Sequence, residues 1–255
     1  MLLALQIAIC AVLVTASLVA ARGLERSLHS NYGFQPGGAM LVHTDLQMAG
    51  YDGDQRPQMQ RRMLDAVAAI PGVTAVGYAD RLALSIGGND SSVFSDTTTD
   101  YRPTNSVADA QQFNVSPDYF RAAATTLLSG RTFTLHDDAK APKVAVVNRE
   151  FARKVLGSVD KAIGGHFKVW GGTRVEVVGV VENGKYETLT EDPQPAMFYS
   201  FQQQPSHNSW IIARSERATQ EIAAALQRAL HSLDPSLPLE IKTWNSELDS
   251  ALFAA

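Results

Sequence analysis

The chain has one cysteine, Cys10, and that shortage removes several classes of protein at once. A single thiol cannot build a disulfide framework, and a four-cysteine zinc site cannot form. Charge is missing where it would be most visible: from Met1 to Ala21 there is no Asp, Glu, Lys or Arg. Over the whole chain 22 basic residues face 26 acidic ones, for a formal net charge of −4. No Lys/Arg block forms a stripe, so the footprint of nucleic-acid binding is absent. Phosphate-binding and hydrolase signatures are lacking as well. The glycines at 157, 164 and 165 match neither GxxxxGK[S/T] nor a GxGxxG between strand and helix, and there is no GxSxG. The six histidines (His29, His43, His136, His166, His207 and His231) include no pair at i, i+4 on an expected helix, which excludes an HExxH zinc site.

What is present begins with residues 2–21, LLALQIAICAVLVTASLVAA, broken only by Gln6, Thr15 and Ser17. About 20 apolar residues at a 1.5 Å rise cross a hydrocarbon core of roughly 30 Å, so the segment is expected to be a transmembrane helix. A cleaved signal would need a basic start and a shorter apolar core, although Val19-Ala20-Ala21 fits a cleavage site. A lipid anchor at Cys10 is disfavoured by bulky Ile9, and Cys10 reads as a small apolar side chain. Arg22 and Arg26 alone would place the rest of the chain on the cytoplasmic side.

Residues 22–38 read as a polar linker with turn formers at Asn31, Gly33, Pro36, Gly37 and Gly38. Residues 39–45 are expected as a strand. Residues 55–70 carry Met59, Met63, Leu64, Val67 and Ile70 at helical spacing, and residues 73–79 form a second strand after Pro71-Gly72. The same order returns later, with a strand over 210–215, a helix over 219–233 and a strand over 237–243. Two βαβ halves, residues 39–84 and 208–245, thus predict an α+β fold with a split βαβ, ferredoxin-like subdomain. Chance patterning is the alternative. Residues 85–207 between them are expected to be an inserted β-rich lobe. Within it, residues 85–109 are rich in Ser, Thr, Asp, Asn and Gly and read as a mobile surface excursion. Ser116-Pro117 is expected to open a helix through Ala123, and Asn148 to cap one over 149–156. Strands are expected at 111–115, 144–147, 164–169, 175–181 and 196–201, with a hairpin turn at Trp170-Gly171-Gly172.

No catalytic, metal or cofactor-binding residue can be assigned. Asp137-Asp138 reads as a solvated loop, and Glu182 and Glu187 as parts of a polar turn. Asn89-Asp90-Ser91 and Asn114-Val115-Ser116 fit the glycosylation pattern. Phe120, Phe133, Phe167, Trp170, Tyr199 and Phe201 are candidates for a groove, with core packing the commoner role. The helices at 116–123 and 148–156 are expected to present polar faces.

Several segments together resemble the periplasmic core domain of MacB-like, FtsX-type ABC transporter permeases. They are Tyr32-Gly33-Phe34-Gln35-Pro36, Asn114-Val115-Ser116-Pro117-Asp118-Tyr119-Phe120, Leu128-Ser129-Gly130-Arg131-Thr132-Phe133, VAVVNREF at 144–151, Ile163-Gly164-Gly165-His166-Phe167, VEVVGVV at 175–181 and residues 195–198. The resemblance runs from about Gly23 to Leu248. It implies a porter-type split βαβ part with an inserted lobe, lying outside the bacterial inner membrane from about Arg22 onward. It also implies a homodimer working with a cytoplasmic ABC ATPase and with a periplasmic adaptor, relaying ATP-driven motion to efflux or to a partner. Residues 246–255 then lead toward a further membrane helix that the sequence does not contain, so a piece of a longer permease is expected. The rival readings are a stand-alone membrane-anchored binding or adaptor protein, and a tethered hydrolase.

Overall fold

A computed structural model describes residues 31–85 and 88–254, together with Gln6 and residues 12–18. The expected membrane helix at 2–21 therefore lies largely outside the described residues. Residues 12–18 are helical and exposed, and no helix among the described residues is long and apolar enough to cross a membrane.

The first structural unit is β1 (Ala39–Asp45), α1 (Gln55–Ala68) and β2 (Val73–Ala79). Its counterpart is β10 (Asn208–Ser215), α4 (Thr219–His231) and β11 (Glu240–Thr243). These four strands lie in the order β11-β1-β10-β2, every neighbour antiparallel. That is the interleaved order of a split βαβ sheet, in which each half contributes one central and one edge strand. Helical spacing explains the packing: α1 buries Met59, Met63 and Val67, and α4 buries Ile222, Leu226 and Leu230. Both stripes meet Val42, Val76, Ile211 and Ala213 on one face of the sheet. The helix expected to run to residue 233 ends at His231, and the last strand begins at Glu240 rather than at 237.

Beyond β2 the sheet continues into β3 (Asp90–Ser95), β4 (Ala108–Val115), β5 (Leu127–Gly130), β6 (Val144–Asn148), β7 (His166–Lys168), β8 (Arg174–Val181) and β9 (Ala196–Ser200). The two parts of the sheet join through one bridge, Ala79 opposite Val115. Here α3 (Arg149–Leu156) packs Phe151 and Ala152 onto Val147, Phe167 and Tyr199. Asn148 caps it as expected, its Oδ1 accepting from Phe151 N at 2.9 Å. The Trp170 turn joins β7 to β8 as an antiparallel hairpin.

Three expectations in this region need correction. Residues 85–109 are not a structureless excursion. Val93 and Phe94 are fully buried in β3, which pairs with β4 and β7. Two adjacent apolar residues suffice where the sheet supplies partners on both edges, and averaging composition over the polar run hid them. The helix expected from Ser116 is the shorter α2 (Tyr119–Ala123), because the Ser116 hydroxyl accepts the Tyr78 N–H at 2.9 Å and ties β2 to β4 instead of capping. Nor does α2 present a polar face: Tyr119, Phe120, Ala122 and Ala123 are all buried. A Cβ on Gly77 of β2 would lie 2.7 Å from Tyr119 Cα, so this glycine lets helix and strand touch.

Candidate functional site

Residues 31–38, expected as linker, are fastened on every side. Asn31 Oδ1 accepts the Gly33 N–H at 2.9 Å, closing a small turn. Gly33 takes φ +74°, and a Cβ there would fall 2.4 Å from Gly184 Cα; only a pair of glycines lets the two segments cross so closely. Thr125 donates its hydroxyl to Gly33 O at 2.6 Å, Gln35 N–H donates to Ala123 O at 2.9 Å, and Lys185 N–H donates to Tyr32 O at 3.0 Å. The carboxylate of Glu182 accepts from Asn31 Nδ2 and from Thr126 N–H, both at 2.7 Å. Burial works against that charge, but these donors outweigh it and hold the carboxyl below its ordinary range.

The strongest tie is Arg214, on β10. Its guanidinium donates to Gln35 O at 2.6 Å, Gly37 O at 2.7 Å and Ala122 O at 3.0 Å. Charge-assisted bonds in a fixed fork hold two segments, residues 35–37 and the end of α2, at set distances from β10. The far end of the domain returns to the same place. Trp244, first residue of α5 (Trp244–Ala254), is fully buried and stacks on Phe34 with centroids 4.4 Å apart and planes 8° from parallel. Such a pair adds about 0.5–1.5 kcal/mol beyond the area it buries. The entering segment and the leaving helix thus share one root.

A second cluster sits at the bridge between the two parts of the sheet. Asp80 accepts Asn114 N–H at 2.9 Å and Asn114 Nδ2 at 2.6 Å. Burial pushes the Asp80 carboxyl up despite these bonds. Arg81 lies over the Phe113 ring at 4.7 Å and donates to Gln111 Oε1 at 3.1 Å. Gln111 Nε2 in turn donates to Asp90 and Glu187, so Glu187 is part of this network and not of a simple turn.

The residues singled out from sequence are scattered or structural. Asp137 is buried, not solvated: Arg131 grips it from two nitrogens at 2.8 and 2.9 Å, and Thr134 N–H donates at 2.7 Å. Burial opposes its charge, but Arg131 and Thr134 hold the carboxyl below its ordinary range. Phe120, Phe133, Phe167, Tyr199 and Phe201 are core residues, and Trp170 is 67% exposed. Asn114 is buried, whereas Asn89 is exposed. His43 lies beside Trp210, and burial lowers its proton affinity. Among the described residues no three His, Cys, Asp or Glu side chains gather as metal ligands. Sequence reasoning missed Arg214 and Trp244. The signals were a lone arginine in the apolar run WIIARS and a tryptophan directly after the last strand.

These features define a class: an α+β domain with a split βαβ sheet, held at one root by both of its ends. The chain belongs to the family of the MacB-like periplasmic core domain, whose family model matches residues 1–229. Among solved structures it is similar to the periplasmic region of MacB from Actinobacillus actinomycetemcomitans, with a TM-score of 0.57 and 11% identity over 88% of this chain and 97% of that one. It is also similar to the extracellular domain of the noncanonic ABC-type transporter YknZ from Gram-positive bacteria, with a TM-score of 0.50 and 13% identity over 79% of this chain and 99% of that one. At such identities the likeness is one of fold. No curated protein matches the sequence significantly.

Proposed function

We propose that this chain is the part of an ABC transporter permease that carries ATPase-driven motion outward, to substrate efflux or to a periplasmic partner, without chemistry of its own. The observation that carries the reading is the shared root, where residues 31–38 and α5 meet at the Phe34–Trp244 stack. Movement of the entering segment would reach β10 through Arg214 and the 182–185 loop through Tyr32 and Asn31, without first bending β1. A close-packed sheet shifts as a body, so displacement at the root becomes displacement of the whole domain. In this reading residues 2–21 span the inner membrane and residues from about Arg22 lie on the periplasmic side. Residues 39–84 and 208–245 form the porter-like part, 85–207 the inserted lobe, and 246–255 lead toward the next span. The partners are a cytoplasmic ABC ATPase, a second copy of the permease, the bilayer and a periplasmic adaptor.

The test uses the full-length permease with its ATPase in lipid. Spin labels at the exposed positions Met48 and Trp170 should report different distances between copies in the nucleotide-free and ATP-bound states. Arg214→Ala should reduce that difference while ATP hydrolysis continues. Identical distance distributions in both states would overturn the relay.

A further inference from the structure

The edge of β2 that faces away from β10 is only partly covered. Tyr78 exchanges both of its backbone groups with Ser116: its N–H donates to Ser116 Oγ and its C=O accepts Ser116 N–H at 3.0 Å. Strand geometry then turns the N–H and C=O of Val76, two residues back, toward the same edge. β4 does not extend to meet them. It bridges β2 at Ala79 alone, and the chain turns off at Ser116-Pro117 into α2. The bulge opposite Ser215 turns Thr74 aside, with its hydroxyl donating to Arg214 O, so the unpaired backbone on this edge is that of Val76. Its side chain is buried beneath the helices, and the residue is 8% exposed where it lines the adjoining groove.

Beside this edge runs a groove of about 370 Å³ between α1 and the segment leading into α2. Leu64, Val73 and Phe201 give it apolar walls, and Leu135 on its lining is 64% exposed. Native proteins usually guard such an edge with Lys or Pro, and residues 73–76 contain neither. Charge is set out along the groove too. Arg61 and Asp65, four apart on α1, make no ion pair among the described residues, while Asp118 and Arg121 on the opposite wall pair with each other at 3.3 Å.

We infer that this edge is a docking site for an extended segment of a partner protein, which adds as a strand beside Val76 in the lane β4 leaves empty. Strand addition draws affinity from main-chain bonds and specificity from alternate side chains. Here the matching segment carries apolar residues at alternate positions, an acidic residue toward Arg61 and a basic one toward Asp65. The apolar lining and the charges of Arg61 and Asp65, which make no ion pair among the described residues, complement one extended segment of mixed charge, which is why a partner segment is assigned here and not a second folded copy. The site does not depend on the relay reading, and its test does not measure transport.

The probe is a blocked eight-residue peptide of valine and threonine with glutamate and lysine two positions apart at its centre, the strand spacing that matches one helical turn between Arg61 and Asp65, added to the full chain in detergent. Hydrogen exchange at the Val76 amide should be fast in the free chain and slowed at least tenfold by the peptide, while Ala75 and Gly77, bonded to β10, stay slow throughout. The same peptide N-methylated along one edge should give no protection. Arg61→Glu should weaken binding about fivefold, and a peptide with lysine in place of glutamate should restore it. A Val76 amide already slow in the free chain would overturn the inference, as would equal protection by the N-methylated peptide. Protection that rises with protein concentration and needs no peptide would assign the edge to a second copy and equally overturn it.

Discussion

Asp80 and Asn114 meet at the one bridge between the two parts of the sheet, and they are imperfectly matched. Asn114 gives its N–H and Nδ2 to the carboxylate, and its own Oδ1 is buried without a partner. The carboxyl, meanwhile, is held above its ordinary 3.8 by burial. An amide at position 80 would keep the bond to Asn114 N–H, remove the buried charge and, with the Asn114 amide turned over, donate to Asn114 Oδ1, leaving Asn114 Nδ2 as the unpartnered atom in its place, so the gain is the removal of the charge. Asp80→Asn is therefore expected to be at least as stable as the parent at pH 7, by urea denaturation. The folded carboxyl keeps its proton to higher pH than the unfolded one, so its penalty is absent below 3.8 and grows as pH rises through the folded value. Any advantage of the variant should accordingly shrink when unfolding is repeated at about pH 3. Asn114→Ala, by contrast, strips a partner from a buried carboxylate and should cost about 1–3 kcal/mol. Equal losses from both variants at pH 7 would contradict this account.

Helix α2 shows how an element can be set by its neighbours more than by its own sequence. Its five residues are too few to be stable alone, and its hold comes from burying Tyr119, Phe120 and both alanines against β2 and β10. Gly77 makes that contact, so Gly77→Ala should push the helix away, with a Cβ 2.7 Å from Tyr119 Cα and 3.0 Å from Ala122 Cβ. Overpacking of this kind costs about 1–3 kcal/mol, read as a lower denaturation midpoint with nearby Tyr119 and Phe120 resonances displaced. An unshifted midpoint would show that the strand and helix can part freely. Elements with strong periodicity were legible from sequence: α1, α4 and the flanking strands arise from their apolar spacing. β3 and β5 were not, because each carries only two large apolar residues and depends on pairing with distant strands. Ser116 misled for a similar reason. A hydroxyl before proline fits a helix cap locally, and only the arrival of Tyr78 from a strand far back in sequence decides its use.

Over the whole molecule the fold family was readable from the order of several weak segments, while the root was not. Arg214 and Gln35 are far apart in sequence, and nothing local marks carbonyl oxygens that a guanidinium will collect. Trp244 likewise is only the residue after a strand until Phe34 comes to lie on it. That stack has a further consequence. It brings the side-chain rings of residues 34 and 244 face to face, so the chain between them leaves from and returns to one place. Where a folded chain starts is then nearly arbitrary. A circular permutant that joins residue 254 to residue 31 by a short glycine-serine linker, and opens the chain at exposed Met48, should keep the parent's circular dichroism and cooperative unfolding. The same permutant carrying Phe34→Ala and Trp244→Ala should lose stability as the parent does, because the clasp, and not the position of the termini, closes the ring.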